Sequence, residues 1–328
     1  MKKVGLVLTI FVSCFLFLLY GPIHIFKDYL ITSSMTTLSH QYIAKLFYSE
    51  KTINKVLDRN RVVESNEITD ASLINIDTKK MANIFSSKKE KEILNNHNNL
   101  YKVIKIKGNT YNGYLVAIYK PSKVDLAVSK NIGKKGENIL SLSKRKKSII
   151  SINGGGYYDP NWSSNGGIPH GTVIKNSKII SNYKDSSVGG GFIGFDKKNK
   201  LILGKMSNNK ALNIYKDAIE FGPFLIINGK MNKIKGNGGW GIAPRTAIGQ
   251  RKDGIVLFLV INGRIPTSIG ASINDVSEIM MEYGAYNAAN LDGGSSSALV
   301  INNKIVNTPV ASGKRGLRPI STFWIVKK

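Results

Sequence analysis

From about residue 100 onward the chain is written as short, β-rich apolar runs, many of them closed by asparagine-containing turns. Residues 172–180 fold back around Asn176-Ser177, 224–234 around Asn228-Gly229, 255–265 around Asn262-Gly263, and 300–306 around Asn302-Asn303. Asn-Gly between apolar runs is the strongest short-range hairpin signal, because the tight turn needs positive φ at both central residues. Only two stretches carry a helical pattern, residues 136–146 and 272–283. The second opens on Ser272-Ile273-Asn274-Asp275, which supplies N-capping side chains, and stops near Gly284. Residues 99–328 are therefore expected to form one α+β domain, with a mixed, mostly antiparallel sheet and few helices.

A different texture precedes it. Met1-Lys2-Lys3 leads into an apolar run from Val4 to about Tyr20, broken only by Thr9 and Ser13. Gly21-Pro22 weakens the pattern, and residues 23–31 continue it with His24, Lys27 and Asp28 mixed in. The run is near the lower limit for crossing a bilayer, longer than a usual signal h-region, and lacks a small-x-small cleavage site. Two leading lysines favour a cytoplasmic N-terminus with the remainder exported. Residues 1–31 thus read as a signal anchor in a single-pass membrane protein, with a cleaved signal peptide as the alternative. The only cysteine, Cys14, lies inside this run, so the exported part has neither disulfides nor thiolate zinc ligands. That suits a bacterial surface protein. Residues 32–98 are rich in lysine and asparagine and contain neither glycine nor proline. They read as a partly helical stalk or linker, or as a small helical subdomain.

The formal charge of +26 is spread along the whole chain. No helix-turn-helix, zinc knuckle or aromatic RNA-binding strand accompanies it, so a nucleic-acid partner is not expected. Anionic wall polymers or lipid head groups are more natural partners for an exported cationic domain, and a lysine-biased composition would give the same count.

Five polar, glycine-bearing segments punctuate the domain. In Asn290-Leu291-Asp292-Gly293-Gly294-Ser295-Ser296-Ser297, one carboxylate is followed by two glycines and three hydroxyls. Such a turn either curls its N–H groups around an anion or is simply tight. Asn153-Gly154-Gly155-Gly156-Tyr157-Tyr158 follows a strand and offers either a ligand-facing loop or a β-bulge. His170, in Gly166-Gly167-Ile168-Pro169-His170, is the one histidine of the β-rich part. Gly222-Pro223 bends the chain into a strand. Arg245 and Thr246 open an apolar strand, where a buried guanidinium needs an anion: Asp292, or a substrate phosphate.

In order along residues 100–328, Ile152-Asn153-Gly154-Gly155, the 222–229 segment, Pro244-Arg245-Thr246-Ala247-Ile248-Gly249 and the 290–297 turn resemble the phosphodiester glycosidase family. That domain occurs in the mammalian lysosomal uncovering enzyme and in many bacterial exported proteins. The resemblance implies hydrolysis of a sugar-1-phosphodiester at C1–O–P, with no cofactor and no metal. It implies Asn153, Arg245 and Asp292 as active-site residues beside the turn 293–296. Gly154, Gly155, His170, Gly222, Pro223, Thr246, Gly293, Gly294, Ser295 and Ser296 complete the candidate substrate-binding set. Ser295 stands where many members have a third glycine, and Tyr157-Tyr158 replaces the more usual phenylalanine pair.

The chemistry is arguable on its own terms. A phosphate leaving group is a weak base and needs less protonation than an alkoxide, so fixed positive charge matters more than a general acid. Asp292 is then the group that works on C1, with Asp159, Glu220, Glu278 and Glu282 as candidate second carboxylates. The expected substrate is sugar phosphate in cell-wall or exopolysaccharide material. Two other readings compete: a non-catalytic module binding anionic glycan or teichoic acid, and a metal-dependent phosphodiesterase cleaving P–O.

Overall fold

The computed structural model describes residues 2–37, 40–76, 87–95, 98–159, 164–183, 190–310 and 317–328. Three sheets carry the β-rich part, and among the described residues every ladder is antiparallel. The largest runs Lys230–Met231, Phe224–Ile227, Ala285–Asn290, Arg245–Arg251, Val256–Ile261, Asn112–Ile118, Tyr101–Lys107. A second sheet of five strands is centred on Ser148–Asn153, between Leu299–Ile301 and Thr322–Lys327. A third, also of five, is centred on Tyr215–Phe221.

The α+β expectation holds, distributed over three sheets that share one core. Val116, Phe258 and Ile248 from the large sheet pack there with Ile152 and Trp324 from the second and Val173 and Ile193 from the third. The large sheet also buries its other face, where Leu115, Leu257 and Leu259 meet Ile273, Val276 and Met280 of the helix Ile273–Glu282. Burial on both faces explains why Val256–Ile261 is an unbroken apolar run rather than an alternating one.

Three asparagine turns close hairpins as expected, with positive φ at Asn176 and Ser177, at Asn228 and Gly229, and at Asn302 and Asn303. The turn at Asn262-Gly263 does not. Val256–Ile261 already has Arg245–Arg251 on one edge and Asn112–Ile118 on the other, so no strand edge remains for a hairpin after it. Its hairpin instead precedes it, across Lys252-Asp253-Gly254. Ile139–Lys146 and Ile273–Glu282 are the two expected helices, the latter capped by a reciprocal Ser272/Asp275 box and ending before Gly284 at φ +79°. A further short helix, Asn208–Ile214, was not legible.

The stretch expected to be a stalk is not a spacer. His24–Met35, Gln41–Phe47 and Glu50–Arg59 are helices that share a small core of Ile31, Ala44, Tyr48, Ile53 and Val56. Arg61–Val63 then pairs with Lys233–Lys235, and the Glu64 carboxylate accepts from the Phe224 N–H at 2.7 Å. The Asn237 amide donates to Thr32 at 2.9 Å. Glycines make this seam: a Cβ on Gly239 or Gly241, both at positive φ, would lie 2.2 Å from Asn60 or Ser33. Residues 77–86, in the same stretch, lie outside the described residues.

Candidate active site

Strand register brings the two charged candidates together. Arg245–Arg251 and Ala285–Asn290 run antiparallel with Ala247 opposite Asn290, so Arg245 and Asp292 emerge at the same end of the sheet. Ile261 pairs with Arg245, which delivers Arg264 to that end as well. From the second sheet, the end of Ser148–Asn153 arrives beneath the turn: Gly154 O accepts from Asp292 N at 3.0 Å, and Asn153 Nδ2 donates to Asp292 O at 2.6 Å.

The result is a cavity of about 280 Å³, with Asp292 and the turn Gly293–Ser296 on its floor and Arg245, Arg264 and Arg318 around it. Among the described residues, Asp292 is the one carboxylate on its lining. Loss of hydration raises its pKa to about 6, opposed by hydrogen bonds from the Ser296 hydroxyl and Gly293 N–H and by the charge of Arg318. Tyr157, hydrogen-bonded to Ser296, has its phenol pushed upward by burial and by the Asp292 charge, and so remains a donor at neutral pH.

Arg245 does not pair with Asp292. Its Nε donates to Ala271 O at 3.0 Å and its Nη2 to Trp240 O at 2.5 Å and Gly241 O at 2.7 Å. Among the described residues it forms no ion pair, and neither does Arg264. Burial and the neighbouring Arg264 charge push the Arg245 guanidinium down to about 9, still protonated at neutral pH. Burial lowers Arg264 too. The Asp275 charge acts on Arg245 without forming an ion pair, so among the described residues the two like-charged groups on the cavity wall have no contacting counterion and can hold an anion. Arg318 differs: it is tied to the fully buried Asp159 carboxylate at 2.5 Å and stacks 5.2 Å from the Tyr157 ring.

The anticipated cradle of turn N–H groups is mostly closed. Gly293 N donates to the Asp292 carboxylate, Gly294 N to Pro244 O, Ser296 N to Gly293 O and Ser297 N to Gly294 O. Positive charge at this site therefore comes chiefly from guanidinium groups. Only Gly294 in the turn needs positive φ (+60°); Ser295 does not, so its side chain is accommodated without strain.

His170, Gly293, Gly294, Ser295 and Ser296 line the cavity with Asp292 and Arg245. Gly222 and Pro223 line a second cavity of about 340 Å³ that shares the His170, Phe221 and Trp240 wall. Asn153, Gly154, Gly155 and Thr246 lie behind the turn. Thr246 Oγ1 donates to Asn153 Oδ1 at 2.8 Å, and Gly155 N to Thr322 Oγ1 at 3.1 Å. Asn153, Gly154 and Thr246 hold the Leu291-Asp292 backbone, and Gly155 is tied to the neighbouring strand. Asn153→Ala is expected to destabilise by ~2–4 kcal/mol in chemical denaturation, since the Ala298 N–H and Asp292 C=O both lose their partner.

The candidate second carboxylates are elsewhere. Asp159 is held by Arg318, and Glu220 accepts from Thr172 N at 3.0 Å. Glu278 and Glu282 are exposed on the far helix, bonded to Asn274 and Lys89. Sequence reasoning missed Arg264 and Arg318. Arg264 sits directly after the misread Asn262-Gly263 turn, and that turn's failure to find a hairpin partner is the signal that would have exposed it. Among the described residues no cluster of three or more His, Cys, Asp or Glu side chains could hold a metal ion.

Among the described residues, one carboxylate of raised pKa thus shares a cavity with three guanidinium groups. The family model for phosphodiester glycosidases matches residues 146–327, more than half of the chain, and the chain belongs to that family. It is 31% identical over 180 residues to the SPbeta prophage-derived uncharacterized protein YomE of Bacillus subtilis (strain 168), covering 52% of this chain and 27% of that protein. The match thus spans about a quarter of the relative's length. The fold is also that of the zebrafish N-acetylglucosamine-1-phosphodiester alpha-N-acetylglucosaminidase catalytic domain, solved auto-inhibited by its pro-peptide. The TM-score is 0.57 at 21% identity, over 71% of this chain and 85% of that one.

Proposed function

We propose that this chain is a membrane-anchored, extracytoplasmic hydrolase that cleaves the C1–O–P bond of sugar-1-phosphodiesters in wall or exopolysaccharide material. The observation that carries the reading is the Arg245–Arg264 pair, which among the described residues makes no ion pair with a carboxylate and shares one cavity with Asp292. The phosphodiester occupies the guanidinium side, which sets C1 over the carboxylate. Asp292, ionised, attacks C1 or directs water to it. The C1–O bond breaks with its electron pair left on phosphate oxygen, where Arg245 and Arg264 stabilise the charge. Water supplies the hydroxyl of the freed sugar, and the other product is a phosphomonoester. Phe221 and Trp240, edge to face at 6.4 Å, give the sugar an apolar wall.

Membrane anchoring is supported by the helix Lys2–Tyr20, whose span Lys3–Tyr20 has a mean hydropathy of 2.2 and is almost wholly uncovered by protein. Leu19, at its end, is 1% exposed within the core of the following helices.

Hydrolysis of an N-acetylglucosamine-α-1-phosphodiester in ¹⁸O-water, with and without EDTA, tests the reaction. Label in the sugar with EDTA-resistant turnover is the expected result. Label in the phosphate would overturn it in favour of P–O cleavage. The pH profile is a second check. Because the ionised Asp292 is required, kcat/KM should fall below about pH 6 with a slope of one proton, and a profile flat to pH 4.5 would remove Asp292 from its role.

A further inference from the structure

The helices after the apolar span carry apolar surface that nothing in the fold covers. Ile23, Ile25, Tyr42 and Leu46 are 47%, 69%, 63% and 73% exposed, and Phe26 is 36% exposed. Single exposed apolar residues need no explanation, but five on adjoining short helices do. Their position is informative. The Phe47 ring packs edge-on against Phe15 at 6.1 Å, and Tyr20 stacks on Tyr48 at 6.0 Å. Tyr20 OH donates to Phe47 O at 3.2 Å, and Tyr48 OH to Leu19 O at 2.9 Å. Phe15 lies five residues before the end of the apolar helix, roughly 7–8 Å down its axis. Gln41–Phe47 therefore lies beside the last turns of that helix, at the depth where a bilayer gives way to water.

The charges agree. Lys27 and Lys45 sit among these residues, and the one acidic neighbour, Asp28, is neutralised by Arg59 and by the Asn60 amide at 2.9 Å. Lys27 lies 5.9 Å from the centre of the Tyr48 ring, and among the described residues neither lysine makes an ion pair; apolar and aromatic side chains interleaved with such lysines are what an anionic lipid interface selects. The same element reaches the catalytic cavity. His24–Met35 has 12 residues, a rise of roughly 18 Å, and Thr36 and Thr37 immediately after it line the cavity beside Trp240.

We infer that residues 23–37 and 40–47 form a collar seated in the anionic lipid interface, and that the substrate class is a sugar-1-phosphodiester tethered to that same membrane. The collar fixes the cavity within about one short helix of the lipid surface, so an amphiphile held there meets the site without leaving the bilayer. The substrate half rests on the hydrolase reading above; the seating of the collar does not.

The test uses the full chain, with Cys14→Ser to remove its only cysteine, reconstituted in phosphatidylcholine/phosphatidylglycerol vesicles. An environment-sensitive fluorophore on Leu46→Cys should emit blue-shifted and be quenched by nitroxide-labelled lipid. Emission as in water, with free quenching by iodide, overturns the collar, as does a probe shielded from both quenchers by a second copy of the chain. Turnover is then compared for the hexadecyl and methyl diesters of N-acetylglucosamine-1-phosphate. In the Ile25→Asp/Leu46→Asp variant, hexadecyl cleavage in vesicles should drop about tenfold or more while methyl cleavage stays at the parent level. Equal retention of both refutes the tethered substrate. Cleavage of neither by the parent chain, with the probe in lipid, refutes the hydrolase reading and leaves the collar standing.

Discussion

The Asp292→Asn protein is expected to lose sugar release by about 10³-fold or more and yet to melt at a higher temperature than its parent at pH 7. The two effects have one cause. Among the described residues Asp292 is the only carboxylate on the cavity lining, so in the proposed reaction none of them can take over its work at C1. Its pKa, raised from 3.8 to about 6 by desolvation, means that the folded state holds the proton more tightly than the unfolded chain does. For a group shifted in this direction, the stabilising contribution is complete below the unfolded value and is lost as pH rises through the folded one. At pH 7 the ionised carboxylate is therefore a liability. A rise of this size corresponds to ~3 kcal/mol, which water at the cavity mouth reduces to ~1–2 kcal/mol. An amide removes that cost, giving a Tm gain of roughly 2–6 °C by calorimetry. An active Asp292→Asn enzyme would displace Asp292 from the reaction, and a lower Tm would show that its charge is paired in solution.

Arg264→Gln should show the same trade in weaker form. Among the described residues the Arg264 guanidinium has no hydrogen-bond or ion-pair partner, and its charge bears directly on Arg245. Removing it relieves like-charge repulsion, so stability should hold or rise. The departing phosphate loses one of its two fixed cations, so kcat/KM for the phosphodiester should fall about 10²-fold. Arg245→Gln is the contrasting case, because Trp240, Gly241 and Ala271 carbonyls depend on that side chain. It should lose both activity and stability, the latter by ~2–4 kcal/mol. Steady-state kinetics and urea denaturation of the pair separate the roles. Unchanged kinetics in Arg264→Gln would leave Arg245 as the sole anion contact.

Much of the local structure was readable because it depends on neighbours in sequence. Asn-Gly and Asn-Asn turns demand positive φ wherever they occur, and the Ser272/Asp275 cap works within one helical turn. The failures that bear on the site were long-range. The turn at Asn262-Gly263 has hairpin chemistry, but both edges of its strand were already occupied. Residues 32–98 look like a polar tether, yet part of the segment docks through glycines more than 150 positions away in the chain. Asn153 and Thr246 look like ligands, being polar residues within matching motifs, but they are spent holding the Asp292 backbone.

Arg245 and Asp292 were legible as candidates, while Arg264, Arg318 and the division of labour among these residues were not. Sequence by itself determined the apolar N-terminal helix, the antiparallel α+β texture and the presence of Arg245 and Asp292 at polar breaks between strands. These follow from periodicity, turn stereochemistry and the chemistry of individual side chains. The tertiary structure decided that Arg245 is bonded to carbonyls rather than to Asp292, that Arg264 joins it, and that Asp292 alone among the carboxylates of the described residues lines the cavity. Those facts turn on register across three sheets and on desolvation, and both are set by which distant strands lie side by side.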